Sequence, residues 1–234
     1  MLYEDAKKLL MQNNHSRLFQ YRYRYLLFTQ FVFVVWYSLL EGMVGMMFFL
    51  EIALVATLLA GVFVATAERK QFITAMILAS VLVLSRWSAF ATTTDTLFII
   101  SYAAGAAFFL YIVVTVSFDI FTRSEKVTAD LIYGAVSVYW LLGLIFAFVY
   151  VMLEVFFPGS FSGNKLAVDN AGSSLSSFVY FSFVTLTTLG YGDISPVSRV
   201  AGVLSYLEAI LGQLYLAIMV ARLVGMYLVH SQSK

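Results

Sequence analysis

Residues 185–193 read TLTTLGYGD, and they stand between two long apolar segments near the C-terminal end of the 234-residue chain. In this stretch Gly190 and Gly192 alternate with Leu189 and Tyr191, and Asp193 closes it. An ordinary strand points its carbonyls alternately to opposite sides, but glycine adopts positive φ at little cost and lets them turn to one side. Carbonyls that face one axis can replace the water around a dehydrated cation. The stretch therefore predicts a loop whose backbone binds cations.

The residues immediately before this loop predict a helix that is too short to cross a bilayer. Residues 175–187 mix apolar and hydroxyl side chains, whereas a membrane-crossing helix needs about 20 apolar residues. Residues 158–172 are rich in Gly, Ser and Asn and predict an exposed loop, after which Ser173 or Ser174 suits a helix N-cap. Non-helical backbone at membrane depth survives only where protein or a water-filled cavity surrounds it. A re-entrant helix that leads into a Gly-rich loop therefore indicates a pore.

The composition predicts an integral membrane protein. Hydrophobic residues make up 62% of the chain and charged residues 12%, with a mean hydropathy of +0.89, whereas soluble domains carry about 25% charged residues. The absence of cysteine excludes disulfides, thiolate metal sites and cysteine nucleophiles. No block of basic residues indicates a nucleic-acid partner, and the polar segment 1–24 lacks the apolar stretch of a secretory signal.

Hydropathy predicts six membrane-spanning helices and hence an all-α fold. The predicted spans are 25–40, 43–67, 71–90, 96–120, 129–157 and 197–229. Only Glu41 and Gly42 divide the first two spans, so that boundary depends on two residues.

The distribution of basic residues predicts the orientation of the chain, because cytoplasmic loops carry an excess of Lys and Arg. With both termini in the cytoplasm, most basic residues fall inside. They are the five of the N-terminal segment together with Arg69, Lys70, Arg123, Lys126, Arg222 and Lys234. We therefore expect a multi-pass protein of the plasma membrane whose glycine-rich loop faces outward.

Residues 185–193, with Pro196 shortly after them, resemble the signature of the tetrameric potassium channel family. Residues 129–229 resemble the two-helix pore of that family with its intervening pore helix, so the resemblance covers rather less than half of the chain. A tight turn between two helices is the alternative interpretation, but a turn needs neither the preceding threonines nor the short helix. The resemblance implies a potassium-selective channel, an all-α membrane protein with six transmembrane helices plus a re-entrant pore helix and a filter loop.

The resemblance also implies roles for the residues of the loop. The ion-binding residues of the selectivity filter would be Thr188, Leu189, Gly190, Tyr191 and Gly192. Potassium would be held at the first four of them, Asp193 would attract cations to the outer mouth, and the Leu189 and Tyr191 side chains would pack behind the loop. Four filter strands are needed to surround an ion, and one chain supplies one. The chain and three identical subunits would therefore form a homotetrameric pore. The permeant ion is the only ligand implied, with no cofactor and no catalytic residue.

The chain departs from some bacterial members of that family at Val184, where they carry a glutamate that pairs with the outer acid. We therefore expect a filter without that particular strut.

The sixth span carries the candidate gating and cavity residues. Gly212 lies where the family places a hinge glycine, and the second interpretation is that it permits close helix packing. Gln213 belongs to a helical stripe that we expect to face the aqueous cavity, whereas Glu208 and Gly212 share a stripe that faces the pore helix or the fifth span. Buried there, Glu208 is either a strut hydrogen-bonded to Ser177, Ser182 or a tyrosine, or a protonatable gate element.

The earlier spans predict a sensor-like domain without a voltage sensor. We divide the chain into an interfacial cytoplasmic segment at 1–23, which suits contact with membrane lipid, a four-helix domain at 24–126 and a pore domain at 127–234. A voltage sensor needs about 3–4 basic residues on the fourth helix of each subunit, and the fourth span contains no Lys or Arg. Glu51 and Arg86 lie at similar depths in the second and third spans, which predicts a buried ion pair that fixes helix register; a moving charge is the alternative.

Other functions remain open at this point. A weakly selective cation channel is the nearest alternative, and the intact G-Y-G argues against it. An accessory pore subunit of a hetero-oligomer could carry the same loop, whereas a multi-loop potassium transporter would carry four copies and this chain has one. A membrane enzyme would need converging titratable residues, but His15 and His230 lie at opposite ends of the chain. The sequence contains no recognisable soluble regulatory domain, so it does not indicate what opens the pore.

Overall fold

The computed structural model describes residues 21–40, 47–65, 69–92, 95–123, 128–163 and 175–232. Within these ranges the α-helices are α1 Arg22–Leu40, α2 Met47–Val64, α3 Arg69–Thr92, α4 Asp95–Phe118, α5 Ala129–Phe156, α6 Leu175–Leu186 and α7 Arg199–Gln232. A π-helical turn, Asp119–Arg123, continues α4, and two short strands, β1 Phe161–Gly163 and β2 Ile194–Pro196, stand on either side of α6 in the chain. The first 20 residues, the boundary at 41–43 and the N-cap candidates Ser173 and Ser174 lie outside the described residues.

Four stretches of the described helices are long and apolar enough to cross a membrane. They are Arg69–Ser88, Thr96–Thr122, Ala129–Phe156 and Arg199–Leu228, which correspond to the last four predicted spans. α1 covers the first predicted span, but polar side chains such as Thr29 and Gln30 make it less apolar. The described apolar part of α2, Glu51–Val64, is shorter than a full span. The chain is therefore a mostly helical membrane protein whose described residues contain four candidate spans, and the count of six stays a prediction.

Aromatic side chains pack α1 and α4 directly against α5. Phe148 of α5 stacks on Phe109 of α4, and Tyr102 of α4 also contacts Phe148, in both cases with ring centroids 5.7 Å apart. Trp140 of α5 contacts Phe31 of α1 at the same centroid distance. Each such pair contributes about 0.5–1.5 kcal/mol beyond the area that it buries. α1 and α4 consequently fix the position of α5.

Polar side chains join three helices at the π-helical turn. Asp119 accepts hydrogen bonds from Arg22 and Tyr23 at the start of α1. Arg222, near the end of α7, donates to the Phe121 carbonyl at 3.1 Å. One short segment after α4 is therefore tied both to the start of α1 and to the C-terminal part of α7.

Glu51 and Arg86 connect α2 to α3. Arg86 Nε donates to Glu51 Oε1 at 2.7 Å. The side chains retain 11% exposure for Arg86 and 21% for Glu51, so the ion pair is partly rather than fully buried.

We expect Arg86→Ala to destabilise the packing of α2 on α3, because it leaves the Glu51 carboxylate without this cation in a poorly solvated place. Removal of one partner of a fully buried pair costs about 3–5 kcal/mol, and the partial exposure reduces our expectation to about 2 kcal/mol. The measurement is the melting temperature of the detergent-solubilised protein. Lys70→Ala, at an exposed position near the start of the same helix, is the control and should change the melting temperature little. Equal melting temperatures for the two variants would contradict a structural role of the pair.

A two-stranded antiparallel sheet lies beyond the end of α5, where β1 pairs with β2. Glu154 of α5 accepts hydrogen bonds from the amides of Gly159 at 2.7 Å and Phe161 at 3.1 Å. The predicted exposed loop over 158–172 is wrong for its first part, because Ser160 and Phe161 are buried. Phe161 packs its ring among aromatic side chains of α5 and α6, a gain that a Gly- and Ser-rich composition does not indicate. The sheet attaches the segment after the glycine-rich loop to the end of α5.

Candidate functional site

Helix α6 ends immediately before the glycine-rich loop and contacts both α5 and α7. Its bounds, Leu175–Leu186, agree within one residue with the short helix predicted at 175–187. The amides of Leu189 and Gly190 donate to the Val184 carbonyl at 2.9 and 3.4 Å. These bonds turn the chain back over the last turn of α6, so the loop starts from a fixed point.

Backbone φ alternates along the loop. It is 60° at Thr188, 59° at Gly190 and 76° at Gly192, whereas Leu189 and Tyr191 between them lie outside the positive range. The sequence predicts positive φ for the two glycines but not for Thr188, since a β-branched residue rarely adopts it. Such strain persists where the surroundings over-determine the backbone, which is common at functional sites. Alternation of this kind lets successive carbonyls face the same side of the loop.

Residues 188–192 contain no acidic or imidazole side chain, so their polar groups are the backbone and the hydroxyls of Thr188 and Tyr191. Within the described ranges, no group of three or more His, Asp or Glu side chains is placed to hold a metal ion. Carbonyl oxygens are hard, uncharged ligands, which suit a cation that must be bound and then released.

The loop is open to solvent in the single chain. Leu189 is 55% exposed and Tyr191 is 66% exposed. The described elements of the same chain cover these side chains only in part, so their packing behind the loop stays a prediction for an assembly of several copies. A cavity of about 590 Å³ adjoins the loop, and its lining includes Leu189, Phe183 of α6 and Val34 of α1. The side chains of the loop and the cavity beside it are thus accessible from outside the chain.

Asp193 is held by a residue that the sequence did not single out. Tyr180 of α6 donates its hydroxyl to Asp193 Oδ2 at 2.7 Å, and the Ile194 amide donates to Oδ1 at 3.1 Å. Tyr180 stands four residues before Val184, on the same face of α6, so a search one helical turn earlier would have found it. The strut expected to be missing at Val184 is therefore replaced by a tyrosine.

Glu208 of α7 is completely buried and joins all three helices of this region. Tyr150 of α5 donates to Glu208 Oε2 at 2.6 Å. Ser182 Oγ of α6 lies 2.5 Å from Glu208 Oε1 and 2.6 Å from the Gly143 carbonyl oxygen of α5. This arrangement is that of a hydrogen-bonded strut, with Ser182 and a tyrosine among the partners that the sequence suggests.

One face of α7 lies against α5 and α6. Glu208 and Gly212 are on this buried face, and Tyr215 donates to a backbone carbonyl of α5 at 2.6 Å. A Cβ atom at Gly212 would collide with the Leu186 backbone carbonyl at the end of α6, so glycine permits the close approach of α7. The helix continues through Gly212 without a break, and hinge motion there stays a hypothesis. Gln213 lies on the exposed side.

Comparison with known proteins agrees with this geometry. Residues 136–229, which include α6, the loop and most of α7, match the family model described as ion channel. The chain is 32% identical to Protein LctB of Geobacillus stearothermophilus over 108 residues, which is 43% of this chain and 75% of that protein. No solved structure matches the chain. By this similarity the chain belongs to the ion channel family.

Proposed function

We propose that the chain is one subunit of a homotetrameric potassium channel and that residues 188–192 form its selectivity filter. The observation that carries the proposal is the alternation of positive φ at Thr188, Gly190 and Gly192 directly after the short helix α6. Potassium loses its water on entry, and rings of backbone carbonyls replace that water. Potassium binds at Thr188, Leu189, Gly190 and Tyr191 in this proposal, with the Thr188 hydroxyl at the inner end of the row.

Four copies are needed because one loop cannot surround an ion. The exposure of Leu189 and Tyr191 in the single chain supports this, since each apolar side chain gains burial when another copy covers it. A closed ring with fourfold cyclic symmetry places the four loops around one axis. The cavity between α1 and α6 gives the neighbouring subunit a place to dock beside the filter.

Asp193 and the orientation of the chain complete the proposed pore. With both termini in the cytoplasm, Asp193 lies at the outer mouth and raises the local concentration of cations. The Tyr180 hydroxyl orients its half-buried carboxylate. The hydrogen bond keeps the negative charge near the entrance by restricting rotation of the Asp193 side chain. The plasma membrane is the proposed location because the pore needs a potassium gradient across it.

The pore domain at 127–234 and the preceding four-helix domain at 24–126 are proposed to be separate in function. α7 is the proposed inner helix, with Gln213 toward the aqueous cavity and Gly212 against the end of α6.

We expect the open probability to change little with membrane voltage. Each gating charge that crosses the field supplies about 2.3 kcal/mol per 100 mV, and steep gating uses about 3–4 charges per subunit. The fourth predicted span has no Lys or Arg, and its one acid, Asp119, is bound by Arg22 and Tyr23. Single-channel recording of the purified protein in planar bilayers measures this. Steep voltage-dependent opening would contradict it.

The proposed function is tested with purified protein in liposomes. Potassium flux should exceed sodium flux, barium should block it, and the reversal potential in mixed solutions should follow the potassium gradient. Equal potassium and sodium permeability would favour the weakly selective cation channel. No flux from a correctly folded protein, with flux restored by a second membrane protein, would favour the accessory subunit.

We expect Tyr180→Phe to weaken the conducting state of the filter, because Asp193 loses the hydroxyl that orients it. A hydrogen bond to a charged group contributes about 1.5–3 kcal/mol, and water replaces part of it at this half-buried site. Single-channel records should show shorter open periods. Tyr206→Phe removes the same hydroxyl at an exposed position on α7 and is the matched control. Identical open periods in both variants would show that the Tyr180 hydroxyl does not support the filter.

A further inference from the structure

Around Glu208 there are more short oxygen–oxygen contacts than the neighbouring hydroxyl groups have hydrogens to donate. Three short contacts occur: Tyr150 with Glu208 Oε2, Ser182 with Glu208 Oε1, and Ser182 with the Gly143 carbonyl. Tyr150 and Ser182 each carry one hydroxyl hydrogen. A carbonyl oxygen and an ionised carboxylate oxygen both only accept, so the single Ser182 hydrogen cannot fill its contacts with Gly143 and with Glu208 at once. One of these two contacts then lacks a hydrogen unless Glu208 supplies it.

The surroundings of Glu208 also disfavour a negative charge. The side chain is completely buried where α5, α6 and α7 meet. No Lys, Arg or His among the described residues acts on it; its side-chain hydrogen bonds are those with Ser182 and Tyr150. An unpaired charge buried in this way is costly, whereas a neutral carboxylic acid is satisfied by one donated and one accepted hydrogen bond.

We propose that Glu208 is a neutral carboxylic acid that donates its hydrogen to Ser182 and thereby positions α6 beneath the filter. The chain of donation runs from Glu208 of α7 to Ser182 of α6 and from Ser182 to the Gly143 carbonyl of α5. Loss of the proton turns the Ser182 hydrogen toward the carboxylate and leaves Gly143 without it. Ionisation therefore removes a link between α5 and α6, the helix that ends at the filter.

Other ionisable groups near the site do not replace Glu208 in this role. Tyr150 and Tyr139, both of α5, are the titratable side chains that interact with it among the described residues. Tyr150 is the donor to Oε2, and Tyr139 donates to the Leu186 carbonyl at 3.2 Å. α6 contributes Ser182, which does not titrate. Glu208 is consequently the group at this site that releases a proton as the pH rises.

The protonation state can be measured without reference to ion flux. The infrared difference spectrum between wild type and Glu208→Gln at neutral pH should contain the carbonyl stretch of a protonated carboxyl group. That band should disappear as the pH is raised. Carboxylate bands at neutral pH would overturn the assignment of a neutral acid, and a protonated band that persists at every pH would overturn the proposed release.

The effect on the filter rests on the proposed channel function. Glutamine is the isostere of a neutral acid, since its amide donates to Ser182 and its carbonyl accepts from Tyr150. Wild-type potassium flux should fall at least about fivefold on alkalinisation, the change that the loss of one hydrogen bond allows. Glu208→Gln should keep the flux seen at neutral pH and remove this pH dependence. A flux loss of equal size in wild type and Glu208→Gln at high pH would overturn the positioning role.

The two measurements separate the possible failures. Absence of potassium flux at every pH, together with the protonated band, contradicts the channel function and leaves the neutral acid established. Flux at neutral pH together with carboxylate bands contradicts the neutral acid and leaves the channel function intact. Ser182→Ala adds a second variant: it removes the acceptor of the Glu208 hydrogen, and it should shift the carbonyl band if the two groups are linked.

Discussion

Replacement of Gly190 by alanine should reduce potassium flux to the level of protein-free liposomes. Gly190 has a φ of 59°, and an L-residue in this left-handed region costs about 1–2 kcal/mol. The cost recurs in every subunit of the proposed tetramer. It is relieved when the peptide between Leu189 and Gly190 rotates, which changes φ at Gly190 and turns the Leu189 carbonyl away from its neighbours. The effect on flux should therefore be much larger than the effect on folding.

Gly159→Ala is the matched control for this prediction. Gly159 also has positive φ, 81°, and no atom lies within 4 Å of a Cβ built at either glycine, so the two substitutions carry the same local cost. Gly159 stands in the turn between α5 and β1, outside residues 188–192. Its variant should lose about 1 kcal/mol of stability and retain potassium flux and selectivity. Comparable flux in Gly190→Ala and Gly159→Ala would contradict the assignment of residues 188–192 as the filter.

Local patterns in the sequence predict the parts of the site that depend on neighbouring residues. The bounds of α6 follow from a short, mostly apolar segment that is followed by glycines. The positive φ of Gly190 and Gly192 follows from their residue type. The burial of Glu208 follows from helical spacing, because it shares a face with Gly212. In each case the information lies within a few residues of the position concerned.

The remaining features depend on contacts between distant segments. The hydroxyl of Tyr180 reaches Asp193 only because the chain folds back after α6. The positive φ of Thr188 contradicts its residue preference, and the hydrogen bonds of the loop to the end of α6 hold it there. β1 is missed because Phe161 is an isolated aromatic residue in a polar segment, and its burial depends on the rings of α5 and α6.

Gly212→Ala should destabilise the protein and reduce potassium flux together. A Cβ at this position would overlap the Leu186 carbonyl and lie 2.9 Å from Leu186 Cδ1. Overpacking of this kind typically costs about 1–3 kcal/mol. Leu186 is the last residue of α6, and its carbonyl also accepts the Tyr139 hydroxyl at 3.2 Å. Displacement of this carbonyl would move the point at which the proposed filter begins.

The same variant separates close packing from a hinge. If Gly212 serves only as a hinge, its replacement by alanine should stabilise the helix by about 1 kcal/mol. In that case only the opening of the pore should be impaired. Close packing predicts a lower melting temperature as well as a lower flux. Gly225→Ala is the control on the same helix, because no atom lies within 4 Å of a Cβ built there.

Leu186→Ala in the Gly212→Ala background tests the mechanism of the loss. It removes the Leu186 side-chain atoms that the new Cβ would crowd, but the backbone carbonyl stays in place. We therefore expect partial recovery of the melting temperature relative to the sum of the single variants, because residues in contact are energetically coupled. Additive effects would mean that the Leu186 side chain does not contribute to the crowding, which would leave the Leu186 backbone carbonyl as its source. Partial recovery identifies the approach of α7 to the end of α6 as the reason for glycine at this position.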